Sequence, residues 1–168
     1  IASCLVGSEM CIRDSNDTHG HNSGDLVLCR VAEALNNTAR QGDLICRLGG
    51  EEFVVVAFGS DGAGVLQLAE RMRAAIENLE VPDATRNQII RCTATIGLSH
   101  SFDNLQAFDE CLQQADAALY RGKAAGRNRV EWAPYDSQSW LMLPGQDGHL
   151  ARLCIVDDKP RSWDQRQD

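Results

Sequence analysis

The chain has 168 residues, enough for one domain with its own hydrophobic core, and 43% hydrophobic with 24% charged content is ordinary for a globular protein. Lys and Arg total 16 against 24 Asp and Glu, a net charge of −8. That balance argues against a general polynucleotide or anionic-membrane surface, while a nucleotide needs only a few local cations.

Residues 1–15, IASCLVGSEMCIRDS, show neither helical nor strand periodicity and are too polar in the middle for a signal-peptide core. Val6 to Asp14 resemble a sequencing-library transposase adapter read in frame. Residues 4–15 are therefore expected to be an assembly artefact, the alternative being a disordered leader, and native sequence is expected from about Asn16. Helical spacing begins at Asp25: Leu28, Val31, Ala32 and Leu35 fall at i, i+3, i+4 and i+7. Asp25 stands where an N-cap would, and Gly42 lies just past the helix end. Residues 44–47 and 52–58 read as a β-hairpin with Gly49-Gly50 at its tip, and the apolar run from Phe53 to Phe58 suits a buried strand.

A loop at 60–64 leads to a second amphipathic helix marked by Val65, Leu68, Ala69, Met72 and Ile76. Residues 82–86 read as polar loop and 90–99 as a strand. Leu105, Phe108, Leu112, Ala115 and Leu119 mark a third helix ending near Gly126, and 128–132 reads as a closing strand. Strands and helices alternate around a hairpin, which predicts an α/β (α+β) fold with a mixed, largely antiparallel sheet wrapped by helices. Past Trp132 the pattern weakens until LCIVDDKP, Leu153 to Pro160. This island resembles the opening strand of a truncated response-regulator receiver domain, where the Asp157-Asp158 pair would help hold magnesium; the alternative is an acidic tail or edge strand. The seven scattered cysteines include no C-x-x-C pair and read as small core residues of a reducing compartment. No apolar run approaches the roughly 18 residues of a membrane span, so the expected location is cytoplasmic, any anchor being left to upstream segments.

RLGGEEF, Arg47 to Phe53, is the densest chemical motif. Glycines at a hairpin tip let backbone N–H groups approach a ligand that side chains would block. Strand alternation sends the carboxylates of Glu51 and Glu52 to different faces, one toward the hairpin mouth and one inward. Carboxylate beside exposed amide suits phosphate-bound Mg²⁺, a hard cation that prefers oxygen; the plain alternative is an acidic turn. NDTHGHNSGD, Asn16 to Asp25, is a glycine-punctuated polar loop entering a helix N-terminus. YRGKAAGRNRV, Tyr120 to Val130, gathers cations near a helix end, with Lys123 and Arg127 four apart and on one face while the helix lasts. Alone, such a cluster is usually a solvated helix end.

Together and in this order, with ATIGLS at 94–99, these motifs resemble the GGDEF family from Asn16 to about Trp132. The resemblance implies a five-stranded sheet wrapped by helices, similar to the adenylyl cyclase core and the polymerase palm. It implies a bacterial diguanylate cyclase, which condenses two GTP into cyclic di-GMP and pyrophosphate across a homodimer, using Mg²⁺ or Mn²⁺, under an upstream sensory domain. Carried over by residue, Glu51 is a metal ligand placed to assist deprotonation, and Glu52 is a second ligand. Gly49 and Gly50 close the backbone on the phosphates. Asn16 and Asp25 read the guanine edge, and Lys123 and Arg127 hold phosphate. RQGD, Arg40 to Asp43, with Arg71, matches the family's inhibitory product site.

The family's first strand carries D-x-D-x-F-K, and the corresponding positions here hold Ser8, Met10, Ile12 and Arg13. The chain as it stands is therefore expected to be poorly active, with half a metal site and a core strand lost. Two rival readings stand beside the enzyme: a degenerate GGDEF domain that regulates by binding GTP or cyclic di-GMP, and a dimerisation scaffold. The intact Gly-Gly-Glu-Glu run favours the enzyme.

Overall fold

The computed structural model describes residues 21–83, 87–102, 108–133 and 151–158. Among the described residues three helices, α1 (His21–Thr38), α2 (Gly62–Glu77) and α3 (Phe108–Ala124), pack around strands β1 (Leu44–Gly49), β2 (Glu52–Phe58), β3 (Val81–Asp83), β4 (Gln88–Ile90), β5 (Ala94–Phe102), β6 (Val130–Trp132) and β7 (Ala151–Asp158). The main sheet has five strands in the order β1-β2-β7-β5-β6, antiparallel at every pairing except β5 with β6. This is the mixed, largely antiparallel sheet that the motif order implies. Beside it, β3 and β4 form a small antiparallel pair.

Alternation along β2 builds two cores from one strand. Phe53, Val55 and Ala57 join the apolar stripes of α1 (Val27, Leu28, Val31, Leu35) and α2 (Val65, Leu68, Met72, Ile76). Val54 and Val56 meet Cys111, Ala115 and Leu119 of α3 on the other face. All five residues from Phe53 to Ala57 are buried, as expected of a run apolar at every position. At about 25 cal/mol per Å² of apolar surface removed from water, this double-sided burial is the main force fixing the hairpin between the helix layers.

Several boundaries differ from the sequence expectation. α1 begins at His21, so Asp25 lies inside the helix and is not its N-cap. Its helical start precedes the first periodic apolar residue, which is why apolar spacing placed the boundary late. The expected strand over 90–99 divides: Ile90 belongs to β4, paired with Val81, and β5 starts at Ala94. Residues 81–83, in part expected as loop, are β3, with Val81 and Asp83 buried. The cysteines are not uniformly core residues, since among the described ones Cys92 and Cys111 are buried while Cys29 and Cys46 are exposed.

β7 occupies the middle of the sheet. It pairs with β2 through Phe53↔Val156 to Phe58↔Ala151 and with β5 through Ala94↔Asp158 to Phe102↔Ala151. Among the described residues the sheet has five strands, and residues 151–158 lie inside it rather than at an edge; positions 8–13, where a core strand was expected to be lost, lie outside the described residues. The register runs Val156 opposite Phe53, so residues 157 and 158 fall at the sheet end that carries Glu51 and Glu52.

Candidate active site

The hairpin tip is shaped by local chemistry. Gly50 adopts φ +54°, a left-handed conformation that glycine takes without steric cost. Arg47 donates from Nε (2.8 Å) and Nη2 to the Gly50 carbonyl, clamping the turn from the strand before it. Gly49 and Gly50 are both exposed, with nothing within 4 Å of where a Cβ would lie. The tip is therefore open space on which a ligand could close.

Glu51 is buried, with 3% exposure, and Glu52 is exposed, the opposite orientations that alternation predicts. Glu52 shares its parity with Val54 and Val56, which face α3. Lys123, near the end of α3, is half-buried, and burial lowers its pKa from the ordinary 10.5, against the raising influence of Asp116, Glu52 and Glu51 and with a further lowering from Arg127. The hairpin carboxylates and Lys123 thus lie within electrostatic reach of one another. Arg127 does not ride on α3, which ends at Ala124. It sits at φ +59° in the following loop, exposed, with its N–H donated to the Gly122 carbonyl at 2.9 Å. Helical spacing therefore does not relate Lys123 to Arg127, although Arg127 is near enough to lower the Lys123 pKa.

On the other side of the hairpin an open cavity of about 600 Å³ separates Asp25, Leu28 and Cys29 of α1 from Ile45, Arg47 and Phe53. Asp25 is exposed on its wall. Asn16, its expected partner, and the adapter-like residues 4–15 lie outside the described residues. Arg47 and Cys29 line this cavity without having been singled out by sequence reasoning. Arg47 sat within the quoted motif, where its place ahead of two glycines was the available signal; nothing in the pattern marked Cys29.

Arg40, Asp43 and Arg71 gather at the C-terminal end of α1. Asp43 accepts from the backbone N–H of Arg40 (2.8 Å) and of Phe58 (3.2 Å). Arg40 reaches Ser60 Oγ at 3.3 Å, and Arg71 Nη2 donates to the Thr38 carbonyl at 2.6 Å. Arg40, in the turn after α1, and Arg71, on α2, thus both anchor to the segment around a carboxylate already engaged in that turn.

The family described as "Diguanylate cyclase, GGDEF domain" matches residues 12–129, and the chain belongs to it. Diguanylate cyclase DgcM of Escherichia coli (strain K12) is 41% identical over 115 residues, which is 68% of this chain and 27% of that protein. Diguanylate cyclase A of Treponema denticola is 36% identical over 118 residues, 70% of this chain and 31% of that protein. The chain thus spans between a quarter and a third of the length of these curated relatives. Among solved structures, the active GGEEF domain of a diguanylate cyclase from Vibrio cholerae superposes with a TM-score of 0.61 at 30% identity, over 74% of this chain and 78% of that one. The GGDEF domain of DgcB from Caulobacter crescentus in complex with c-di-GMP gives 0.63 at 28% identity, over 73% and 71%. Among the described residues no helix is long and apolar enough to cross a membrane.

Proposed function

We propose that this chain is the nucleotidyl-transfer domain of a diguanylate cyclase, joining two GTP into cyclic di-GMP with release of pyrophosphate. The observation that carries the reading is the arrangement at the hairpin tip: a glycine turn, one buried and one exposed carboxylate, and Lys123 in electrostatic reach of both. In each half-reaction a 3′-oxygen forms a bond to the α-phosphorus of the facing GTP, and the bond from that phosphorus to the bridging oxygen breaks. Two such steps close the ring, so two copies of the domain must face each other. Lys123 and Arg127 would hold the triphosphate, and the backbone at Gly49 and Gly50 would close on it. Asp25, on the cavity wall, would accept from the guanine edge together with Asn16.

A divalent cation fits the donor set. Mg²⁺ takes hard oxygen ligands and is commonly bound by one or two carboxylates plus substrate phosphates, which Glu51 and Glu52 could provide. Among the described residues no group of three His, Cys, Asp or Glu could hold a metal, so substrate oxygens would complete the shell. Bound there, Mg²⁺ or Mn²⁺ would acidify the attacking hydroxyl and neutralise charge on the leaving pyrophosphate. Glu51 would also be placed to take up the hydroxyl proton. Arg40, Asp43 and Arg71 would bind cyclic di-GMP as an inhibitory site, the arginines engaging phosphate by paired N–H donors. The reading places the domain in the cytoplasm, beneath a sensory segment that controls pairing.

A second reading, a nucleotide-binding regulator without turnover, turns on the first strand, because Ser8 and Met10, at positions where the family carries aspartates, lie in the adapter-like segment. Mass-spectrometric detection of cyclic di-GMP separates the two. The chain as it stands should yield little product from GTP and Mg²⁺, and a version carrying D-x-D-x-F-K at residues 8–13 should yield it readily. No product from the restored version would leave the regulator.

A further inference from the structure

The loop after α3 is held from behind by residues outside the proposed ligand-binding set. Gly126, Arg127 and Asn128 take φ +107°, +59° and +47°, three consecutive left-handed residues of which two carry side chains. Such a run is unfavourable for L-residues and persists only where surrounding contacts over-determine it. Those contacts come from α2. Arg73 Nη1 donates to Asn128 Oδ1 at 2.7 Å and to Glu77 Oε2 at 2.8 Å, and Asn128 Nδ2 donates to Glu77 Oε1 at 2.8 Å. Each of the three side chains is therefore bonded to the other two. The backbone N–H of Asn128 donates to Oγ1 of the buried Thr95 at 3.1 Å, fixing the loop to β5 as well.

The chemistry selects an amide at position 128. Guanidinium only donates and carboxylate only accepts, so the residue between Arg73 and Glu77 must present one acceptor and one donor. Asparagine does both, and it is among the few side-chain-bearing residues that tolerate the left-handed region. An aspartate would keep the bond to Arg73 and turn a carboxylate onto Glu77.

We propose that Arg73, Glu77 and Asn128 form a positioning network that locks the loop after α3 so that Arg127, together with Lys123, is presented to the nucleotide phosphates. The inference rests on the reading of Arg127 as a phosphate cation, and it adds α2 as the element that sets its place. Arg73 and Glu77 are about 50 residues from Asn128 in sequence, so no local motif joins them.

The test compares wild type, Asn128→Asp and the double variant Asn128→Asp/Glu77→Gln, which restores a donor opposite the new carboxylate. GTP and guanosine affinities are measured by calorimetry, and amide hydrogen exchange is followed at residues 127 and 128. Asn128→Asp should bind GTP about 10-fold more weakly, the scale of one lost charge-assisted contact. Guanosine affinity should stay unchanged, both amides should exchange faster, and the double variant should recover most of each effect. A generally loosened fold would instead weaken GTP and guanosine alike, and that result, or unchanged exchange in Asn128→Asp, overturns the network. If wild type is GTP-selective and Asn128→Asp keeps that selectivity, the positioning inference fails alone. If wild type binds GTP no better than guanosine, the phosphate reading of Arg127 fails and takes the presentation role with it.

Discussion

Lys123 shows how a single side chain records the cost of the site it serves. Burial lowers its pKa, although Asp116, Glu52 and Glu51 pull the other way. A lysine with a lowered folded pKa binds its proton less tightly folded than unfolded, so folding stability rises with pH between that lowered value and the ordinary 10.5. Urea unfolding of wild type and Lys123→Met across alkaline pH should show the wild type gaining stability relative to the variant as pH approaches 10.5. A difference independent of pH would contradict the assignment. The lysine was legible in the sequence as part of a basic cluster, and so was Arg127. What could not be read was how they meet: the i, i+4 argument relied on a helix that stops at Ala124. Asn128 and Arg73 were equally invisible, because a closed three-way hydrogen-bond set between distant segments leaves no local periodicity.

At the scale of elements, the sequence showed the helices through their apolar spacing, and the α2 stripe of Val65, Leu68, Ala69, Met72 and Ile76 is buried as read. ATIGLS was readable as strand and as a family motif, and the structure gives its glycine a physical reason. A Cβ on Gly97 would lie 2.1 Å from the Ala115 carbonyl oxygen and 2.6 Å from the Leu119 nitrogen. α3 therefore lies backbone-to-backbone on β5, which sets how far its C-terminal end reaches toward the hairpin. Neither partner is a flexible side-chain tip, so Gly97→Ala should cost about 3 kcal/mol, at the upper end of overpacking effects. Equilibrium denaturation measures this, and a loss below about 0.5 kcal/mol, typical of an uninvolved surface position, would show that the helix is not so constrained. Boundaries were less legible than elements. The β3–β4 pair was missed because three-residue strands are too short to establish a period of two.

For the whole molecule, the least legible feature was β7. LCIVDD reads alone as the start of a strand, and composition cannot say which strands it joins. Its position follows from the needs of β2 and β5, both buried, whose backbone groups require partners on each edge. β7 provides those partners and joins the β1–β2 hairpin to the β5–β6 pair as one sheet. The hairpin tip lies at one end of this sheet, with the α1 cavity against the hairpin, and the metal–triphosphate site is proposed at that end. That site is tested most directly by titrating GTP into the chain with Mg²⁺ and with a chelator, for wild type and Glu51→Gln. Mg²⁺ should strengthen GTP binding in wild type and no longer strengthen it in the variant. Equal affinity with and without Mg²⁺, unaffected by the loss of the buried carboxylate, would contradict it.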